Sequence, residues 1–403
     1  MKKPALHWQI LIALILAVFY GIYLSEHVRW IAWMGDIFLR ALKMIIIPLI
    51  LTSVISGINK IGSAKNIGKL GFKTILYYLS TSILAIITGL FLVNLVKPGI
   101  GANLNLKMNV EDIPATENFG ETLLKIIPEN LLESFSDNTQ MLSVIFFALL
   151  FGFFMTGIEK KYNRLLSEFF EAVFSVIMKI TLFIIKFTPF GVFGLVAEKI
   201  AMQDDLLALF QSLGTYMLVV LAALAIHAGF TLPLLLKFIG RINPLKHFHA
   251  LKNVLLTAFS TSSSGATLPL TMEAVEDNSG VSNKICSFTL PLGATINMDG
   301  TALYECVAVL FIAQAYGMTV TLGQQVLVVG TALLASVGAA AVPMAGLIMM
   351  SIILSALGLP LEGIGLIIAV DRILDMFRTA TNVWSDSCGA VIIAKSEGEI
   401  LKV

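Results

Sequence analysis

The sequence predicts an all-α membrane protein with eight membrane-spanning helices and two re-entrant helical hairpins. The 403 residues are 57% hydrophobic and only 13% charged, with a mean hydropathy of +0.88, and a soluble domain of this size needs more polar surface. Apolar runs before residue 245 are long enough to cross a bilayer six times. Beyond residue 245, two apolar segments end in small residues and a proline, and each precedes an apolar helix that carries Asn and Asp.

The first spanning helix is predicted from the N-terminal run MKKPALHWQILIALILAVFYGIYL. A basic start followed by apolar residues also suits a signal peptide, but no small-x-small cleavage site follows before SEHVRW. A helix needs about 20 apolar residues to cross the bilayer. The candidate spans up to residue 245 are about 5–24, 37–59, 72–96, 139–158, 168–188 and 209–238.

Charge in the connecting loops predicts the orientation of these spans. Lysine and arginine concentrate before span 1 and after spans 2, 4 and 6, whereas the alternate loops carry acidic residues such as Glu111 and Asp204. Cytoplasmic loops carry the excess of basic residues, so we expect cytoplasmic N- and C-termini. The net charge of +1 provides no basic field for nucleic acid.

The two predicted hairpins follow one pattern. The octets SSSGATLP (262–269) and SVGAAAVP (336–343) each begin with Ser and end with Pro, and each ends an apolar approach. Broken helices at corresponding positions of two repeats are typical of the binding site of a secondary transporter. The alternative is two unrelated helices with small-residue packing faces.

The last predicted span, 361–394, carries a polar face. At about 100° per residue, its ionisable and amide residues fall within an arc of about 80°. These residues are Asp371, Asp375, Arg378, Asn382 and Asp386. A charge at the bilayer centre costs from about 2.5 to well over 10 kcal/mol, so this face must meet protein, water or a ligand. An internal salt bridge between Arg378 and one aspartate is an alternative, but it leaves Asp386 unexplained.

The segment GATINMDGTALYE (293–305) interrupts the span before it. Unwound backbone frees carbonyl oxygens, which with Asn297 and Asp299 suit a hard cation such as Na⁺. The segment contains no His or Cys, which disfavours a soft metal. Hairpin tips and half-helix N-termini offer N–H groups to an anion. These features together match a zwitterion with an acidic side chain, carried with cations.

The segments SSSGATLPLT, LPLGATINMDGTALYE, ASVGAAAVPMAG and LDMFRTATN resemble the dicarboxylate/amino acid:cation symporters, the glutamate transporter family, in its acidic amino-acid branch. The resemblance covers essentially the whole chain and implies a homotrimer of elevator-type transporters with inverted repeats. It implies a scaffold (1–71 and 119–200) and a mobile transport domain (72–97 and 205–403). Within the transport domain it implies hairpin 1 at about 245–283, span 7 at 284–315, hairpin 2 at 322–358 and span 8 at 361–394.

The resemblance also implies the substrate site. Asp375 would hold the amino group of L-aspartate or L-glutamate, and Arg378 would pair with the side-chain carboxylate, as its planar fork allows. The remaining substrate contacts would come from Ser263, Ser264, Thr301, Thr379 and Asn382, with backbone near Val342 and Gly346 closing over the ligand.

Up to three Na⁺ sites are implied in the same way, with no organic cofactor. The first would use Gly293, Asn297, Asn382 and Asp386. The second would use backbone near Thr295, Ser336 and Val337. The third would use Tyr78, Thr81, Ser82, Asn297 and Asp299.

The presence of Glu305 predicts that protons take part in transport. Archaeal Na⁺-only members of the family have Gln at this position, whereas the animal glutamate carriers have Glu, and a buried carboxyl group can exchange its proton near neutrality. The alternative is a permanently ionised Glu305 that pairs with Lys or Arg. Family members also place a second arginine at the position of Ser262 or Met376, so we expect Asp375 to lack that neighbour here.

Five further residues can be interpreted from the sequence. Ser385 stands where the family has a smaller residue, next to the implied cation site. His227, in span 6, is interpreted as a packed or hydrogen-bonded histidine rather than a proton relay. Cys286, Cys306 and Cys388 show no metal-ligand spacing and are interpreted as buried packing residues.

Other function classes fit less well. A C4-dicarboxylate carrier has no amino group for Asp375 to bind, and a neutral amino-acid carrier usually lacks the arginine at 378. An intramembrane aspartyl protease could pair Asp299 with Asp371 or Asp375, but its Gly-x-Gly-Asp signature is missing. A channel is disfavoured because no continuous pore lining is evident. We therefore expect a secondary active symporter for L-glutamate and L-aspartate, coupled to Na⁺ and H⁺, and not an enzyme.

Overall fold

The structure is a computed structural model, and it describes residues 6–65, 68–102, 127–136, 141–202, 206–338 and 345–403. Within these ranges the regular structure is entirely helical, which confirms the predicted all-α class. By length and composition, the helices that can each cross a membrane are Arg29–Asn59, Lys69–Val96, Leu207–Gly240 and Asn283–Ala315. Shorter apolar helices and a bent helix pair accompany them, as expected of a multi-pass membrane protein.

The described part of the first half of the chain contains seven α-helices. They are α1 (Leu6–Tyr23), α2 (Arg29–Lys65), α3 (Lys69–Val96), α4 (Leu131–Ser136), α5 (Met141–Met155), α6 (Lys160–Ile185) and α7 (Thr188–Ala201). The predicted span 168–188 was wrong in its bounds, because α6 starts earlier and a bend of 54° separates it from α7. Pro189 lies in the first turn of α7, where a helix tolerates a residue without a backbone N–H. Because proline lacks this N–H, it cannot form the backbone hydrogen bond that would continue α6.

The sixth span is irregular at its centre. Helix α8 (Leu206–Ile226) continues through a π-helical turn, His227–Thr231, the short α9 (Leu232–Leu235) and a second π-helical turn, Leu236–Gly240. π-Helical turns often occur at functional sites, because they displace side chains from the regular helical positions. The first of these turns carries His227, which is completely buried.

The predicted first hairpin consists of α10 (Pro244–Thr261) and α11 (Ser264–Asp277). The chain reverses at Ser262, which has a left-handed backbone with φ of 51°. Ser263 then caps α11, and its side chain accepts a hydrogen bond from the backbone N–H of Ala266. The reversal therefore occurs within the Ser/Thr-rich octet, as predicted from the sequence.

The seventh span is broken, as the polar segment predicts. Helix α12 (Asn283–Ile296) ends and α13 (Asp299–Ala315) begins on either side of Asn297 and Met298, which have non-helical backbone angles. Nearly all of α13 is buried. The second hairpin contributes α14 (Leu322–Gly338) and α15 (Ala345–Ala356). Residues 339–343 of its predicted tip, including Val342, lie outside the described residues.

The long last helix, α16 (Ile364–Ser396), packs against both halves of the broken span. Helix α13 packs between α3 and α16, with α8, α14 and α15 as further neighbours. The almost completely buried α13 therefore brings the middle of α3 and the polar face of α16 to one place. Outside this centre, large apolar side chains point outward, such as Phe91, Phe154 and Leu165, as lipid-facing residues do.

Candidate functional site

Arg378 lies at the centre of the candidate site, on α16, and is 1% exposed. Its Nη2 atom lies 2.8 Å from Oδ1 of Asp375 and 3.1 Å from Oδ1 of Asp371. Its guanidinium carbon lies 3.8 Å from the ring centroid of Tyr304 on α13. The internal ion pair that the sequence leaves open is therefore present, and two carboxylates share one guanidinium nitrogen.

Two donors of this guanidinium remain for a ligand. The Nε and Nη1 atoms of Arg378 have no hydrogen-bond partner in the part of the chain that the structure describes. A buried charged donor without a partner is costly, so a carboxylate that reaches this group stabilises it strongly. Gly346, at the start of α15, adjoins the same side. A Cβ atom at Gly346 would lie 2.7 Å from Nη1, so only glycine leaves this approach open.

Asp375 has a second arginine beside it. Nη1 of Arg372 lies 3.6 Å from Oδ2 of Asp375, and the Arg372 side chain is 28% exposed. The expectation that Asp375 lacks such a neighbour was wrong. Ser262 and Met376 supply no arginine, but residues three apart on a helix are neighbours, so Arg372 reaches Asp375 from the preceding turn.

Asn382 connects α16 to the start of α13. Its Oδ1 accepts a 2.7 Å hydrogen bond from the backbone N–H of Gly300, and its Nδ2 donates to Oγ1 of Thr301 at 3.1 Å. Thr379, one turn earlier, is also buried. The structure thus brings together Thr301, Asn382 and Arg378 from two helices.

Other predicted substrate contacts are less direct. Ser264 is buried, and its hydroxyl lies 3.5 Å from the carbonyl oxygen of Ala294, so the first hairpin tip reaches the end of α12. Ser263 is the cap of α11. Val342 lies outside the described residues.

The third implied cation site is assembled from α3 and the broken span. Ser82 donates to Oδ1 of Asp299 at 2.7 Å, and Thr81 donates to Oδ1 of Asn297 at 3.2 Å. The hydroxyl of Tyr78 donates to the backbone carbonyl of residue 289 at 2.8 Å. All of these side chains are buried. The structure therefore brings hydroxyl, amide and carboxylate oxygens together, which are ligands of hard cations.

The first implied cation site shares residues with the third. Nδ2 of Asn297 donates to Oδ1 of Asp386 at 2.9 Å. A Cβ atom at Gly293 would lie 2.5 Å from Oδ1 of Asp386 and 2.7 Å from the hydroxyl of Tyr78, so backbone, carboxylate and phenol are in close proximity. Among the described residues, no cluster of three or more His, Cys, Asp or Glu side chains suggests a transition-metal site.

The second implied cation site is less defined. The hydroxyl of Thr295 donates to the carbonyl oxygen of Leu292 within its own helix, at 2.9 Å. Ser336 and Val337 lie in the last turn of α14, and their side chains are outside the described part of the chain.

Asp299 has two partners that sequence reasoning did not assign. Nε2 of His227 lies 3.0 Å from its Oδ2, and Ser385 donates to the same oxygen at 2.6 Å. Ser385 also accepts a hydrogen bond from Nδ2 of Asn297 at 3.0 Å. His227 is therefore packed and hydrogen-bonded through Nε2, whereas its Nδ1 has no hydrogen-bond partner among the described residues. The only signal for Ser385 was its size at a position where the family has a smaller residue.

Glu305 is completely buried on α13. Neither of its carboxyl oxygens has a hydrogen-bond partner, and no ion pair to Lys or Arg is found for it within the described ranges. An ionised carboxylate is far more costly to bury without a partner than a neutral carboxyl group. The site therefore favours a carboxyl group that carries a proton over the permanently ionised alternative.

The amino-acid sequence of this chain is similar to one family of proteins. The model of the sodium:dicarboxylate symporter family matches residues 6–396. Excitatory amino acid transporter 3 of Mus musculus is 37% identical over 450 residues, which cover 96% of this chain and 85% of the relative. Excitatory amino acid transporter 2 of Mus musculus is 37% identical, covering 92% of this chain and 74% of its own length. An excitatory amino acid transporter of Caenorhabditis elegans is 35% identical, over 93% of this chain and 83% of its own length.

Proposed function

The chain belongs to the sodium:dicarboxylate symporter family, and from that premise we propose that it carries L-glutamate and L-aspartate into the cell together with Na⁺. It is a transporter and not an enzyme. The relatives named above are transporters of excitatory amino acids, which supports this substrate class. The family name itself implies sodium coupling.

The observation that supports this substrate best is the pairing of Arg378 with Asp375. An acidic amino acid carries an ammonium group and a side-chain carboxylate, so it can replace the internal partner of both residues. The ammonium group binds Asp375 while the carboxylate binds Arg378, and the number of buried charge pairs does not fall. These contacts gain strength in a closed site, where the local dielectric is low.

Thermal-shift measurements on the purified protein test the substrate. L-Aspartate, L-glutamate, L-serine and succinate are compared with and without Na⁺, because a ligand of the native state raises the unfolding temperature. The acidic amino acids are expected to give the largest shifts, and only with Na⁺. In Arg378→Gln this preference should disappear. A larger shift from serine than from L-aspartate in the parent would refute the proposal.

Cation coupling in this proposal uses up to three sites. The oxygens that surround Asn297, Asp299 and Asp386 support the first and third, because they are buried and come from three separate helices. The second, near Thr295 and the second hairpin tip, rests on the resemblance. Counting Na⁺ ions from the Na⁺ dependence of L-aspartate binding, in the parent and in Asp386→Asn, tests this assignment.

Protons are the second proposed driving ion, carried by Glu305. Its burial without a partner supports this role. Uptake of L-aspartate into liposomes is measured with an inward proton gradient in the parent and in Glu305→Gln. Only the parent should respond to the gradient. The control is Glu133→Gln, which changes an exposed carboxylate in the same way. Identical responses of parent and Glu305→Gln would exclude the role.

The proposed assembly is a homotrimer that works as an elevator, with cytoplasmic termini and the scaffold and transport domains divided as in the family. The outward-facing aromatic and aliphatic residues support a membrane-embedded subunit. Light scattering of the detergent-solubilised protein tests the trimer. Labelling of single cysteines introduced at Lys2 and Lys160 tests the orientation, because the native cysteines of the described chain are buried.

A further inference from the structure

A cavity of about 730 Å³ lies beside the start of the first hairpin, away from the candidate transport site. Three segments form it: the first three turns of α10, the end of α11 and the end of the chain. The sixth span ends at Gly240 and α16 ends at Ser396, so the cavity lies on the side of the membrane where both helices end. Its polar and basic lining includes Asn243, Lys246, His249, Lys252, Asn278 and Lys402.

Three lysines give this cavity a positive charge. Lys246, Lys252 and Lys402 are exposed, and none of them forms an ion pair with Asp or Glu in the part of the chain that the structure describes. Nζ of Lys402 donates to the backbone carbonyl oxygen of Asp277 at 2.7 Å, which holds the side chain in place without neutralising it. The described residues that line the cavity include no Asp or Glu. A carboxylate at Val403, which also lines it, offsets one of the three charges, so a net positive charge remains.

Large apolar side chains are exposed on the same face of α10. Leu245, Phe248 and Leu256 are 70%, 47% and 67% exposed. At about 100° per residue, these three and Lys252 lie within an arc of about 80°. Lysines alone would follow from the excess of basic residues in cytoplasmic loops. A face that combines lysine with large apolar residues is instead typical of a helix in contact with a membrane surface.

A phospholipid with a net negative charge fits both features. Its phosphate compensates the lysines, its acyl chains cover the apolar side chains, and basic pockets beside membrane helices suit anionic headgroups. We propose that Lys246, Lys252 and Lys402 bind the phosphodiester headgroup of an anionic phospholipid, and that Leu245 and Phe248 contact its acyl chains. A soluble phosphate would use the lysines but leave the apolar side chains uncovered. This lipid site goes beyond the proposed transport function and does not depend on it.

Three probes separate the charge, the headgroup and the acyl chains. Dioctanoyl phosphatidylglycerol has a net negative charge, dioctanoyl phosphatidylcholine has the same chains without net charge, and glycerol phosphate has the phosphate without chains. Each is titrated into the purified protein in a non-ionic detergent, and the unfolding temperature is measured, because a ligand of the native state raises it. Phosphatidylglycerol should give a saturable rise that the other two probes do not reach at equal concentration. Added choline chloride should raise its half-saturating concentration, because salt screens exposed charges.

Variants locate the binding site. In Lys246→Gln/Lys252→Gln the half-saturating concentration of phosphatidylglycerol should rise about tenfold or more, because each lysine near an anionic lipid contributes to binding. Lys246→Arg/Lys252→Arg keeps both charges and should bind as the parent does. The control is Lys160→Gln/Lys161→Gln, which removes two exposed lysines at the start of α6, on the same proposed side of the membrane. It should bind phosphatidylglycerol as the parent does.

Several outcomes would overturn the inference. They are equal shifts from phosphatidylglycerol and phosphatidylcholine, no saturable shift in the parent, or an unchanged half-saturating concentration in Lys246→Gln/Lys252→Gln. A shift from glycerol phosphate as large as that from phosphatidylglycerol would assign the cavity to a soluble phosphate and would also overturn it. Each shift is measured from the variant's own unfolding temperature without lipid, so a less stable variant does not imitate weaker binding. Because the assay measures no transport, each of these outcomes leaves the proposed function intact.

Discussion

Gly300 is the position where one added methyl group should disturb the site most clearly. Its backbone N–H donates to Oδ1 of Asn382 at 2.7 Å. A Cβ atom built on Gly300 would lie 2.7 Å from the backbone oxygen of Arg378, and 3.1 Å from both Cα of Arg378 and Oδ1 of Asn382. Gly300 is not among the described glycines with positive φ, so alanine is compatible with its backbone angles. The effect of Gly300→Ala should therefore come from contact alone.

The size of this effect follows from three contributions. Overpacking of a close contact costs about 1–3 kcal/mol, because backbone oxygen cannot move without its helix. Loss of the hydrogen bond between Gly300 and Asn382 costs about 1 kcal/mol. Alanine regains up to about 1 kcal/mol over glycine in a helix. The net loss of stability is then about 1–3 kcal/mol, and the backbone of Arg378 moves away from α13.

The assay is thermal unfolding of the purified protein, combined with the dissociation constant for L-aspartate. Gly214→Ala on α8 is the matched control, because a Cβ atom there has no neighbour within 4 Å. This control should be at least as stable as the parent and should bind L-aspartate normally. Gly300→Ala should unfold at a lower temperature and bind more weakly. Equal stability and equal affinity in the two variants would refute the reasoning.

Three further predictions concern other contacts. Tyr304→Leu removes the ring that faces the buried guanidinium at 3.8 Å, so the dissociation constant for L-aspartate should rise about tenfold, whereas Tyr304→Phe should keep it near the parent value. Ser82→Ala removes the hydroxyl that donates to Asp299, and the Na⁺ concentration for half-maximal binding should rise about fivefold, with no change for Ser80→Ala as the control. Glu397 accepts a hydrogen bond from Lys73, which lowers the pKa of Glu397. The stabilisation is therefore present above the usual glutamate pKa of about 4.3 and is lost as the pH falls through the lowered pKa. Glu397→Gln should reduce the change in unfolding temperature over that pH interval, and an unaltered change would contradict the assignment.

Helical periodicity predicted the local features of the site well. The polar face of α16 needs only the geometry of one helix, since residues three and four apart share a face. The break at Asn297 and the turn at Ser262 were also visible, because glycine, serine and proline have strong local backbone preferences. The start of α6 was placed too late, because polar residues in its first turns interrupt the apolar pattern. The bend between α6 and α7 agrees with Pro189, which cannot form the backbone hydrogen bond that would continue α6.

Contacts between distant parts of the chain could not be predicted from spacing. Ser82 and Asp299 are 217 residues apart, and His227 and Asp299 are 72 apart. The pattern of α3 shows a spanning helix with hydroxyl groups, but not which helix they face. The roles of Tyr78, Thr81 and Ser82 came from the resemblance alone, and those roles stay predictions.

The sequence by itself determined that this is an all-α membrane protein of the symporter family, with a polar face on its last helix and a break in the helix before it. Hydrocarbon tolerates neither unpaired backbone nor unpaired charge, so composition and periodicity suffice for the fold class, the polar face and the break. The family came from the resemblance of four segments. Only the tertiary structure decided that Tyr304 faces Arg378, that Ser385 and His227 contact Asp299, and that Glu305 has no partner among the described residues. Partner choice depends on how helices pack in three dimensions, and a one-dimensional pattern carries no distance between them.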